Sequence, residues 1–230
     1  MTEFINDTSQ KMSELVMEHA VLINVLKRMG ISLGFGDHSV EDICRRHNID
    51  PGFFLLICNI YCNKQYVPTE HRVISTDMTA LVPYLKGSHA FYTDNRLPHI
   101  ERHLDHIAQQ LPTRVADVFM NFFRQYRQEV EAHFAHEEQD VFPHIEALQN
   151  NSRDNGYCIG DFLESHTDTE DKLNDLLQIV FKYLPEGITG DDAVSVVFDI
   201  LQLSHDLNRH SFVEEKVMVP YVLHLERKAR

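Results

Sequence analysis

From residue 80 onward, apolar residues return at alternating steps of three and four, as in helices that bury one face against neighbours. One stripe runs through Val115, Phe119, Phe122, Tyr126, Val130, His133, Glu137, Val141 and His144 or Ile145, and predicts a helix over about 112–148. Another runs through Val196, Ile200, Leu203, Leu207, His210, Glu214, Val217 and Tyr221, and predicts one over about 192–225. Phe162, His166, Leu173, Leu176 and Val180 share a face of a shorter helix over about 160–183. His89, about three turns ahead of Ile100, stands at the head of the stripe that Leu104, Ile107 and Leu111 continue. Four long helices with turn-like connections predict an all-α fold, an up-down-up-down four-helix bundle over residues 80–230.

Residues 1–66 predict a small helical domain preceding that bundle. A first helix spans about Ser9 to Met29 and stops at Gly30, where GISLGFG forms a glycine-rich turn. Ser39 caps a second helix whose first turn holds Glu41 and Asp42, favourable beside the positive end of the helix dipole. That helix is expected to end near Asn48. Asp50-Pro51 starts a third, with Asp as cap and Pro at the first helical position, and its run FFLLICNIY packs on the other two. Residues 67–79 have no period and are expected to be a linker.

The stripes contain side chains that an apolar seam does not tolerate unaided. His133 and Glu137 stand in HFAHEEQDVFP, His210 and Glu214 in HSFVEEKVMVP, and each segment ends in a proline, Pro143 or Pro220. His89 and His166 both follow a serine. The distance from His89 to His166 equals that from His133 to His210, so a two-helix unit occurs twice. A four-residue step puts His and Glu on one helix face, one turn apart. Burying these groups requires either mutual His–Glu pairing or a metal. The duplicated spacing favours a metal pair, with the imidazoles as terminal ligands and the two carboxylates as bridges. Ligation by nitrogen and oxygen without thiolate suits iron best, with manganese or zinc as alternatives.

Composition narrows the partners. A net charge of −14, from 35 acidic against 21 basic residues, argues against a nucleic-acid partner. No apolar run approaches the roughly 18 residues of a membrane span, and the start resembles no secretion signal. Cys44, Cys58, Cys62 and Cys158 show no zinc-type pairing, so reduced thiols in a cytoplasmic protein are expected, with the first three as small core residues. His99, His103 and His106 lie one position off an apolar stripe and are expected to flank it, facing solvent. His136 and Glu138 adjoin the candidate ligands but point elsewhere, towards solvent or in support of a ligand.

These motifs resemble the hemerythrin-like (HHE) cation-binding family, most closely its di-iron members that repair iron–sulfur clusters after nitrosative or oxidative damage. The family pattern H-x-x-x-E-[EN]-x-x-x-x-P is matched at His133/Glu137/Pro143 and His210/Glu214/Pro220; His89 precedes Leu97-Pro98, and His166 stands in FLESH. The resemblance implies two non-haem iron ions bridged by carboxylates and by an oxide or hydroxide. Their metal ligands would be His89, His133, Glu137, His166, His210 and Glu214. It also implies O2 or NO at the site, with damaged iron–sulfur proteins as partners. Homodimerisation stays open. Oxygen-carrying hemerythrins place a further His four residues after the third-helix His, where this chain has Glu170. Repair members carry Cys-Cys-Gly-Gly in the amino-terminal turn, where this chain has Leu33-Gly34-Phe35-Gly36. The expected role is cluster repair in the stress response. A gas or redox sensor acting through the amino-terminal module, or a di-iron NO reductase or peroxidase, is the alternative.

Overall fold

The computed structural model describes residues 4–150, 156–165, 170–183 and 191–229. Among these residues every regular element is helical, so the fold is all-α. No helix among them is long and apolar enough to cross a membrane.

The amino-terminal region begins with α1 (Met12–Glu18) and α2 (Leu22–Arg28). The single helix expected over 9–29 is interrupted at His19, whose backbone (φ −132°, ψ 76°) is not helical. No glycine or proline marks that break. α3 (Val40–Arg46) starts where Ser39 Oγ accepts from the Asp42 amide at 3.1 Å and Asp42 Oδ2 accepts from the Ser39 amide at 3.3 Å. Each side chain satisfies an amide that the first turn leaves without a helical partner. The Ser39 hydroxyl and amide hold the Asp42 carboxyl below the usual carboxylate range. α4 (Pro51–Cys62) starts with the Asp50 carboxylate accepting from the Phe53 amide at 2.9 Å. Phe53 to Tyr61 are all buried, so α4 is covered on every face. The stretch expected to be a linker contains α5 (Glu70–Ser75), where the Thr69 hydroxyl accepts from the Arg72 amide at 3.2 Å. Six residues are too few to display a helical period.

Longer helical segments follow. α6 (Leu81–Phe91) passes through a π-helical turn, Tyr92–Arg96, into α7 (Leu97–Ala108). α8 (Thr113–His136) passes through Glu137–Val141 into α9 (Phe142–Gln149). α10 (Ile159–Ser165) and α11 (Glu170–Tyr183) come next. α12 (Asp191–Val213) passes through Glu214–Met218 into α13 (Val219–Ala229). Pro98, Pro143 and Pro220 each occupy the second position after a π turn. A proline inside an α-helix has no N–H to donate and collides with the carbonyl four residues earlier. Here that carbonyl belongs to Asp94, Gln139 or Lys216, the middle residue of each π turn. The wider i→i+5 turn gives the ring room, and the helix continues instead of ending.

Contacts divide the chain into two compact units. In the unit made of His89–Val141 and Gly160–Asn208, four helices surround one apolar core. Ile100 and Leu104 enter it from α7, Phe123 and Tyr126 from α8, Leu173 and Leu176 from α11, and Ile200 and Leu203 from α12. Most of the apolar residues of the predicted stripes lie in this core. Val115 does not: it is exposed, and the core starts one turn later at Phe119. Phe123 replaces Phe122 as the fully buried member of its pair.

The other unit comprises Met1–Ser88, Phe142–Ile159 and Arg209–Arg230. Here α13 packs on α5 and α9. Arg28, at the end of α2, donates to the Tyr61 hydroxyl at 2.8 Å. Gly87 of α6 meets the same residue's backbone: a Cβ at this position would lie 2.4 Å from the Arg28 carbonyl oxygen. Only glycine permits that approach. Val222, and not the expected Tyr221, is buried on α13. The extra residue of the preceding π turn advances the buried phase by one position.

Candidate metal centre

Glu137 and Glu214 are the first residues of the π turns after α8 and α12, and both carboxylates are wholly buried. His133 and His210 precede them by one turn, as the four-residue spacing demands. His210 Nε2 lies 2.7 Å from Glu214 Oε1, and His133 Nε2 lies 3.6 Å from Glu137 Oε1. His89, near the end of α6, brings its Nε2 to 3.1 Å from Glu137 Oε2. His89, His133 and Glu137 thus converge in one unit, and His210 and Glu214 in the other. His133 stands beside Glu137 with a slightly exposed side chain. His166 lies outside the described residues.

His89 is held on two further sides. Its Nδ1 donates to Glu138 Oε1 at 2.9 Å, which fixes the tautomer and turns Nε2 towards Glu137. The Phe134 ring stacks on the imidazole with centroids 4.0 Å apart and planes 11° from parallel. Tyr92 is fully buried, stacks on Phe134 in turn, and donates from its hydroxyl to the Asp206 carbonyl at 3.3 Å. Sequence spacing exposes neither Phe134 nor Glu138 as a neighbour of His89, because the partners are 45 and 49 residues apart. The repeated Glu-Glu doublet was the available signal for Glu138. His136, by contrast, pairs with Asp140 at 2.9 Å on the surface.

The donor set fits a divalent cation. Two carboxylates without solvent contact carry a desolvation cost of several kcal/mol each unless positive charge or donors face them. Imidazole nitrogen beside carboxylate oxygen is the ligand chemistry of iron, manganese and zinc. Three of the four cysteines are unsuited to join it. Burial pushes the Cys44 and Cys62 thiols up to about 12, and raises Cys58 well above its ordinary value, so none supplies a thiolate near neutral pH.

Comparison with known families agrees with this donor chemistry. The hemerythrin HHE cation-binding domain matches residues 92–222, more than half of the chain. The matched span holds His133, Glu137, His166, His210 and Glu214, and begins three residues after His89. No curated protein matches the chain. With the duplicated motif, the helical bundle and the buried His/Glu pairs, that match assigns the chain to the hemerythrin HHE cation-binding domain family.

Proposed function

We propose that this protein is a cytoplasmic non-haem di-iron protein that repairs damaged iron–sulfur clusters under nitrosative and oxidative stress. Glu137, Glu214, His89, His133, His166 and His210 would hold the irons, within a bundle domain of residues 80–230 that follows the small domain of residues 1–66. The observation that carries this reading is the pair of wholly buried carboxylates, each with an imidazole one turn away on its own helix. Two irons held there would supply a reversible change of oxidation state and affinity for O2 or NO. The chain itself does three things: Glu138 retains the Nδ1 proton of His89, Phe134 covers one face of that ring, and the π turns carry both glutamates into the interior.

Elemental analysis of protein purified without oxygen is expected to give two irons per chain. Iron-loaded protein is then expected to restore activity to an enzyme whose iron–sulfur cluster has been damaged by NO, while metal-free protein does not. A metal-free preparation with unchanged thermal stability overturns the metal reading. Iron-loaded protein that restores nothing overturns the repair role alone.

One observation favours a sensor as the second reading. α6 carries both Gly87, pressed against the Arg28 carbonyl, and His89 two residues later. A shift of His89 on gas binding would therefore strain a close contact with the amino-terminal helices. A partner affinity that changes between the oxidised and reduced forms, without turnover, separates this reading from repair.

A further inference from the structure

α7 carries a pair of histidines at four-residue spacing, His99 and His103, outside the centre described above. Asp199 of α12 faces them. His99 Nε2 lies 3.2 Å from Asp199 Oδ2, and the His99 and His103 ring centroids are 4.8 Å apart with planes crossing at 82°. One ligand atom from each of the three lies within 4.8 Å of the other two. We infer that His99, His103 and Asp199 form a separate binding site for a zinc-class divalent cation.

The geometry is close to what such an ion needs. Bonds of about 2.0–2.2 Å place the ligand atoms of a tetrahedral zinc about 3.4 Å apart. The His99–Asp199 pair already stands at that separation, and rotation of the half-buried His103 closes the third edge. Arg96 donates to the other carboxylate oxygen, Asp199 Oδ1, at 3.2 Å, and to Gln202 Oε1 at 3.2 Å. It also reaches the Asp199 carbonyl at 3.5 Å. This leaves Oδ2 directed at the histidines and fixes the carboxylate from behind, as outer hydrogen bonds do for metal ligands. Arg102 contacts His99 Nδ1 at 3.1 Å. Its side chain is exposed, and it moves aside when Nδ1 takes the proton that metal binding displaces from Nε2. Three protein ligands leave a fourth position to water. Two imidazoles select zinc, nickel or copper over magnesium and calcium, which take oxygen ligands.

Calorimetric titration of the protein as purified with zinc, with elemental analysis of its resident metal before and after, tests the site. The wild type and Arg102→Ala are expected to take up one zinc per chain without losing resident metal. His99→Ala and His103→Ala are expected to bind that zinc at least about tenfold more weakly, with unchanged resident metal and unchanged melting temperature. Asp199→Asn, which keeps the shape of the side chain and removes its charge, weakens it similarly. Equal zinc uptake by the wild type and both histidine variants overturns the site, as does loss in only one of them, or no uptake by the wild type.

Discussion

The segments 133–143 and 210–220 share a pattern and a backbone, yet they differ in depth. Each places His one turn before a fully buried Glu, opens a π turn at that Glu, and passes a proline six residues later. But His210 is 2% exposed and 2.7 Å from its glutamate, while His133 is 15% exposed and 3.6 Å away. The residues beside the two glutamates diverge as well. Both are exposed, but Glu138 accepts from His89, whereas Glu215 pairs with Lys216 at 3.5 Å. Spacing fixes which residues share a helix face, and the surrounding helices decide how dry each pair becomes.

If the two glutamates are equivalent bridges, Glu137→Ala and Glu214→Ala have the largest effects, and equal ones. Each is expected to lose the bound metal and the stability it confers, about 2.7 kcal/mol per ion at a hundredfold excess over Kd. Elemental analysis and melting with and without added iron measure this, and full occupancy in either variant breaks the equivalence. The histidines should then differ. His210→Ala is expected to cost about 2 kcal/mol and His133→Ala less than about 1 kcal/mol in metal-free protein, because only the first empties a closed site. Equal costs in denaturant titration would remove depth as the distinction.

Glu138→Ala is expected to weaken metal binding about tenfold and Glu215→Ala not at all, since only Glu138 orients a candidate ligand, His89. Competition against a chelator reads both. The smallest effect lies outside the repeats. Ser39→Ala is expected to cost about 1 kcal/mol of stability and leave metal content unchanged. Asp42 has a depressed carboxyl, so the stability it contributes is present above its unfolded value and lost as pH falls through the folded one. The gap between wild type and Ser39→Ala should accordingly narrow in acid, as melting curves at two pH values would show.

The bundle helices were legible because each buries a long stripe, and the caps Ser39 and Asp50 because a cap lies next to the turn it serves. Three features were not. The π turns were hidden because a proline reads as a helix end unless the wider turn before it is known. α5 was too short for a period, and the break at His19 carries no breaker residue. In the candidate centre, spacing paired His133 with Glu137 and His210 with Glu214. It left Glu138 between solvent and support of a ligand, and gave no hint that Phe134 would cover His89 or that Asp199 would meet His99.

Local spacing alone was enough for the bundle helices, the caps at Ser39 and Asp50 and the two His–Glu pairs, since positions four apart on a helix are held together by the backbone that joins them. Packing between distant helices sets which candidate ligands are sealed from water and which, like His133, keep a little contact with it. It also decided where His89 and His99 find their carboxylates. Those partners lie tens of residues away, and burial depends on every helix packed around a side chain, which no local spacing encodes.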